Sequence, residues 1–222
     1  MRHLGINSFA IAIATATVTV TLLALTSTAK AQRGTGDLGC GLHDRSLQSI
    51  YAQARADEHS DLKGIVVLCN GKRVSEAYFN GDSAATLHDI RSATKSITPT
   101  LMGIAIQQGL VRSVDDSISR YLPGLPHDGK QDITIRDLLT MRSGLDADDD
   151  DPQSPGNEDN LDKSADWLKA AYAVPVKRRP SQTYVYCSLN AFLTGVIVQN
   201  AAHMPLDVFA RKNLFQPLEI NR

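Results

Sequence analysis

Ser92-Ala93-Thr94-Lys95-Ser96-Ile97-Thr98 is the stretch on which the reading of this chain turns. Serine and lysine three residues apart on a helix share one face, with β-carbons about 5–6 Å apart. A lysine so placed can take the hydroxyl proton, and a serine in the first helical turn meets backbone N–H groups and the positive end of the helix dipole. Alone, the pattern is weak evidence and reads first as a capping serine beside a solvated lysine, so the flanking sequence decides. Downstream, Ile97, Leu101, Ile104, Ala105 and Leu110 make a helical apolar face closed by Gly109, with Pro99 inside it. Residues 115–122 read as a short helix or turn before Pro123-Gly124, and Thr134 caps a helix through Met141 that Gly144 ends. Residues 146–159 are acidic and broken by Pro152, Pro155 and Gly156, which predicts a solvated surface loop. Helices are expected over 161–173, 190–200 and 205–214.

Upstream, residues 46–59 have helical spacing. Two β-rich runs, 64–69 and 73–79, flank Asn70-Gly71, a turn whose central residues both need positive φ; this is a hairpin. Two strands are marginal alone, so more sheet is expected elsewhere.

The first 31 residues read as a leader. Met1-Arg2-His3 is basic, 9–25 is apolar or Thr-rich, and Ala29-Lys30-Ala31 puts small residues at the −3 and −1 positions of a cleavage site. This predicts a signal peptide over 1–31, a mature chain over 32–222 in the periplasm or outside the cell, and membrane contact only during export. A single membrane anchor is the alternative, because the stretch is long enough to span when Thr is tolerated. Export permits disulfides; one pair plus one free thiol can be drawn from Cys40, Cys69 and Cys187, and the sequence does not choose it.

The 222 residues hold 23 Lys+Arg against 24 Asp+Glu, a net charge of −1, which removes the electrostatic case for a nucleic-acid partner. With 42% hydrophobic and 21% charged residues the chain can bury a core and is not a disordered one. Neither a metal nor a cofactor pattern occurs, and a Ser-His-Asp triad has no G-x-S-x-G turn to support it.

The segment Ser92 to Thr98 continues into Leu101-Met102-Gly103-Ile104-Ala105, Gln108-Gly109-Leu110, Val114-Asp115-Asp116-Ser117-Ile118-Ser119-Arg120-Tyr121-Leu122-Pro123 and Ile133-Thr134-Ile135-Arg136-Asp137-Leu138-Leu139-Thr140-Met141-Arg142-Ser143-Gly144-Leu145. This arrangement resembles the serine beta-lactamase-related superfamily, which holds class C beta-lactamases, penicillin-binding D,D-peptidases, esterases and 6-aminohexanoate-dimer hydrolases. Met141-Arg142-Ser143-Gly144 and Tyr186-Cys187-Ser188 are closest in wording to the last branch, and the resemblance runs from about Leu62 to Leu218. It implies an α+β, beta-lactamase/transpeptidase-like fold: an antiparallel sheet flanked by helices plus a helical domain. Residues 32–90 would supply the helix and hairpin of the sheet region, and 91–222 the mainly helical region.

The same resemblance implies Ser92 as acyl-accepting nucleophile, Lys95 as its base and Tyr186 as a second proton-transfer group, registered by Gly195 nine residues on. Ser188 stands where relatives usually carry asparagine. A hydroxyl cannot present the paired donor and acceptor of an amide, which favours amidase or esterase chemistry over beta-lactam turnover. Ser188 and Asn190 are secondary site candidates. The family's third element, Lys or His, then Thr or Ser, then Gly, has no match after Tyr186. The closing strands of the sheet and an oxyanion donor are therefore expected to be missing, as in the N-terminal part of a longer hydrolase. The implied function is an exported serine hydrolase acting on a small-molecule or short-peptide amide or ester, without metal or cofactor. Beta-lactamase or D,D-peptidase action on penicillins or peptidoglycan stems is the alternative, and a non-catalytic peptidoglycan-binding module or inactive fragment the second. Cys187 as a thiol nucleophile has no histidine near it in sequence; a buried small hydrophobe is expected there.

Overall fold

Asn70 and Gly71 adopt φ of 48° and 76°, the two left-handed conformations that an Asn-Gly hairpin turn requires. The computed structural model describes residues 40, 41 and 43–220, so the expected leader and its cleavage position lie outside the described residues. The chain divides into two units, Met1–Leu87 and His88–Arg222.

In the first unit, α1 (Asp44–Arg55) precedes β1 (Gly64–Cys69) and β2 (Lys72–Tyr78). The strands pair antiparallel, Gly64 opposite Tyr78 and Cys69 opposite Lys72, with a register shift between Val67 and Leu68. Leu47, Tyr51 and Ala54 line the buried stripe of α1 and pack with Phe79, Ile65, Val67 and Ala77. The Tyr51 hydroxyl meets Ser75 Oγ at 2.6 Å, giving the buried phenol a polar partner on β2. A disulfide joins Cys40 to Cys69, so the pairing left open by the sequence is settled with Cys187 as a buried free thiol. Among the described residues the sheet has two strands.

In the second unit, a 3-10 turn, Arg91–Ala93, runs directly into α2 (Thr94–Gln107). The helix continues through Pro99, which can give no N–H to the Lys95 carbonyl one turn back. Next come a 3-10 turn Ile118–Arg120, α3 (Ile135–Leu139), α4 (Glu158–Asp162), α5 (Trp167–Ala173), α6 (Ser188–Ala202), α7 (Leu206–Ala210) and a π-helical turn Arg211–Phe215. The core joins α2 to α6: Leu101, Met102 and Ala105 from the first, Leu189, Leu193, Ile197 and Val198 from the second, all buried. Each of these side chains except Ala105 contributes about 1.5–3 kcal/mol relative to exposure. Even Asn190 and Thr194 of α6 are buried, and the Thr194 hydroxyl donates to the Asn190 carbonyl at 2.8 Å. The start of α3 is a capping box: Asp137 N–H donates to Thr134 Oγ1, while the Asp137 carboxylate accepts from Thr134 N–H at 2.9 Å. Asp116 accepts from Tyr121 Oη at 2.7 Å and Arg112 at 2.6 Å, and these bonds hold its carboxyl below the usual range.

One expectation differs from the structure and a second is incomplete. The helix expected over 161–173 is two short ones, because Asp166 turns the chain: its carboxylate caps α5 by accepting Lys169 N–H at 3.0 Å, and its own N–H donates to Ser164 Oγ. The acidic loop is exposed at 150–153, 155, 158 and 159, as expected of a surface loop, but it is anchored as well as solvated. Asn157 and Ser154 are buried within it, and Asn157 Nδ2 donates to the carbonyls of Asp148, Asp149 and Asp151 at 3.1, 3.2 and 3.2 Å.

Candidate active site

The turn that delivers Ser92 is held by Asp89, whose carboxylate accepts the Arg91 N–H at 2.8 Å. Arg91 has φ of 48°, a left-handed conformation that costs a residue with a β-carbon about 1–2 kcal/mol. The chain thereby reverses within one residue and sets Ser92, exposed, at the head of α2. Lys95 lies one turn on and is half-buried; its Nζ donates to Ser92 Oγ at 3.1 Å. The same ammonium sits over the Tyr186 ring, 5.0 Å from the centroid, a cation–π distance. The three principal candidates thus converge, with Lys95 between the other two. No hydrogen bond joins the Tyr186 phenol to Ser92 or Lys95 among the described residues.

What carries Tyr186 to this point is the Met141-Arg142-Ser143-Gly144 stretch. Val185 N–H donates to Met141 O and Ser181 N–H to Arg142 O, both at 2.9 Å, while the Gly144 carbonyl accepts from Lys177 and Arg178 N–H, also at 2.9 Å. Asp146 N–H then reaches Pro175 O at 2.8 Å and Asp149 N–H reaches Tyr186 O at 3.1 Å. The second strip of backbone therefore runs along the first until it enters α6 at Ser188.

Ser188 is held by two carboxylates. Its N–H and Oγ meet Asp149 Oδ2 at 2.6 and 2.8 Å, and Oγ also lies 2.7 Å from Glu158 Oε2. The other oxygen of Asp149 accepts Glu158 N–H at 3.2 Å. Nothing in the sequence distinguishes Asp149 from the other aspartates of its run, and no local spacing ties Glu158 to Ser188, thirty residues on. Asn190, the other secondary candidate, is elsewhere: it is buried, donates from Nδ2 to Met141 Sδ at 3.5 Å, and its Oδ1 has no hydrogen-bond partner among the described residues.

A cleft of about 530 Å³ opens beside Lys95 and Ser188. Thr98, Leu161, Phe192 and Val196 give it an apolar floor; Trp167, 46% exposed, stands edge-on to Phe192 at its rim. Arg91 and Lys95 supply positive charge and Glu158 and Asp162 negative charge. Such a lining suits an uncharged or zwitterionic organic molecule with an apolar part.

Cys187 is a buried free thiol and not an exposed nucleophile. It is 2% exposed, and burial, aided by the charges of Asp149 and Asp148, pushes its thiol up to about 11. At pH 8 about one thiol in a thousand is then ionised. Iodoacetamide is expected to leave Cys187 unmodified in the folded protein and to alkylate it in urea; alkylation in the folded protein at the rate of a free thiol would contradict this. The sign for stability follows: the folded state keeps its proton longer than the unfolded one, so this contribution is present below pH 9 and lost as pH rises towards 11.

With this geometry in place, the similarities to known proteins fit. The family model described as Beta-lactamase matches residues 52–222, and the chain belongs to that family. The fold is that of the beta-lactamase/transpeptidase group. A crystal structure of a beta-lactamase/D-alanine carboxypeptidase from Pseudomonas syringae superposes with a TM-score of 0.63 at 22% identity, covering 80% of this chain and 50% of that one. A protein from Bacillus anthracis titled "Putative 6-aminohexanoate-dimer hydrolase" gives a TM-score of 0.57 at 16% identity, over 80% of this chain and 48% of that one. In sequence, an Escherichia coli K12 protein named "Putative D-alanyl-D-alanine carboxypeptidase" is 30% identical over 148 residues, which are 61% of this chain and 33% of that protein. The chain thus spans about a third of the curated relatives it matches and about half of the solved ones. Among the described residues no helix is long and apolar enough to cross a membrane.

Proposed function

We propose that the protein is an exported serine hydrolase that cleaves an amide or ester through an acyl-enzyme on Ser92. The observation that carries this reading is the 3.1 Å hydrogen bond between Lys95 Nζ and Ser92 Oγ at the head of α2. In the reactive state neutral Lys95 accepts the Ser92 proton as Oγ attacks the carbonyl carbon, and the carbonyl electron pair moves to its oxygen. The Ser92 N–H, at the helix start, is placed to donate to that oxyanion. Collapse expels the amine or alcohol, which takes a proton from Tyr186 or Lys95; water then repeats the sequence and frees Ser92. Export is supported by the Cys40–Cys69 disulfide, which persists in an oxidising compartment.

A second reading, a D,D-peptidase acting on peptidoglycan stems, is favoured by the name of the Escherichia coli relative. Ser188 in place of asparagine favours the first, since its hydroxyl proton is already engaged by carboxylates.

Intact-mass spectrometry after exposure to a fluorophosphonate, and separately to a penicillin, tests both. Oγ–P bond formation expels fluoride and leaves one phosphonyl adduct, expected on the wild type and absent from Ser92→Ala. Faster labelling by the fluorophosphonate supports the amidase or esterase; faster acylation by penicillin supports the peptidase. A wild type that neither reagent labels would sink both readings.

A further inference from the structure

We propose that Asp149 is the positioning residue of this site, and that Asp149 and Glu158, by engaging the Ser188 hydroxyl proton between them, turn Ser188 Oγ into a hydrogen-bond acceptor that selects acyl donors carrying an N–H beside the scissile carbonyl. The proposal rests on the serine-hydrolase reading above and deepens it.

Asp149 bonds to both ends of the Tyr186-Cys187-Ser188 segment. Its main-chain N–H donates to the Tyr186 carbonyl at 3.1 Å, and its Oδ2 accepts Ser188 N–H at 2.6 Å. The Tyr186 ring of this segment faces the Lys95 ammonium at 5.0 Å, so a shift of the segment is a shift of the tyrosine against Lys95. Oδ1 is equally engaged, by Glu158 N–H in the first turn of α4 at 3.2 Å. Both oxygens of one carboxylate thus act as acceptors facing two elements. An asparagine, isosteric but with one oxygen replaced by NH2, can serve only one of them.

The consequence for Ser188 is a matter of counting hydrogens. Its hydroxyl has one, and two carboxylate oxygens lie within reach, Asp149 Oδ2 at 2.8 Å and Glu158 Oε2 at 2.7 Å. No hydroxyl hydrogen remains for the cleft that Ser188 lines, and what Oγ offers there is a lone pair. A lone pair binds an N–H donor and gains nothing from an N-methyl group or an ether oxygen. The amide side chain usual at this position presents both a donor and an acceptor, so Ser188 held by the two carboxylates narrows the recognition to one sense.

The test compares Asp149→Asn, Ser188→Ala and the exposed neighbour Asp150→Asn, which removes the same charge from the same loop. Thermal melts first establish that each variant folds. Ser92 phosphonylation by a fluorophosphonate is expected to slow about tenfold or more in Asp149→Asn, through loss of geometry at Tyr186, and to stay within twofold in Asp150→Asn. Hydrolysis of an N-acylamino ester is expected to exceed that of its N-methyl counterpart by roughly fivefold in kcat/KM for the wild type. That preference should fall to near one in Ser188→Ala, which keeps the main-chain bond to Asp149 and so reports on the hydroxyl even if Asp149→Asn unfolds. A wild type labelled at Ser92 with Asp149→Asn equally fast, or with the N–H preference intact in Ser188→Ala, overturns this proposal and leaves the hydrolase reading standing. An unlabelled wild type overturns both.

Discussion

Lys95→Arg is expected to be nearly as damaging as Lys95→Ala, each slowing phosphonylation of Ser92 by about 100- to 10,000-fold. The two substitutions remove different things. Alanine removes charge, hydrogen bond and stem together. Arginine keeps a cation that can rest on the Tyr186 ring, as Lys95 does at 5.0 Å, and keeps donors for Ser92 Oγ. What arginine cannot do is lose a proton, and a group that remains a donor cannot accept the one that Ser92 must release. If the lysine served only to hold the serine hydroxyl electrostatically, arginine would retain most of the rate. Stopped-flow release of fluoride, or a time course of intact mass, separates the cases. A Lys95→Arg protein that reacts within threefold of the wild type would remove Lys95 from the proton-transfer role. Melting curves for both variants serve as the control, since the half-buried Lys95 stem also covers apolar surface.

How much of this was legible in the sequence varied with the range of the interaction that decides each feature. The hairpin was, because Asn70-Gly71 forces its own backbone geometry whatever lies around it. So was the capped start of α3, where Thr134 and Asp137 satisfy each other three residues apart. Ser92 and Lys95 were legible for the same reason: their meeting is helix geometry. The placement of Tyr186 against Lys95 rested on resemblance, since no local rule brings together residues so distant in sequence, and the structure supplies the means in the backbone bonds between 141–149 and 175–186. The exposure of the acidic loop was legible but its anchoring was not, because composition reports the solvation of a charged segment and not its partners. Asn157 has three carbonyl partners and Asp149 has Ser188, and none of these follows from a run of aspartates. The break after Asp162 is invisible to apolar spacing, because it is made by Ser164 and Asp166, which compete for backbone hydrogen bonds.

Gly144→Ala is expected to lower the stability of the fold by about 3 kcal/mol, and Gly124→Ala by only about 1 kcal/mol. The pair is informative because both glycines have φ of 77°, so both substitutions pay the same left-handed cost. They differ in what a β-carbon would meet. At Gly124 nothing lies within 4 Å. At Gly144 the added atom would stand 2.2 Å from the Arg178 carbonyl oxygen and 3.2 Å from Pro180 N, both main-chain atoms with no side-chain rotation to relieve them. The backbone must separate there, and the bonds from Lys177 and Arg178 N–H to the Gly144 carbonyl, at 2.9 Å, are the first to lengthen. Urea unfolding with an unchanged slope would place the difference in stability rather than in the unfolded state. Two variants equally destabilised would show that the close approach at Gly144 relaxes at no cost. The strip of backbone that opens is the one that carries Tyr186, so Gly144→Ala should also slow labelling of Ser92 under conditions where the protein is still folded. Gly124→Ala, which leaves that strip alone, should not.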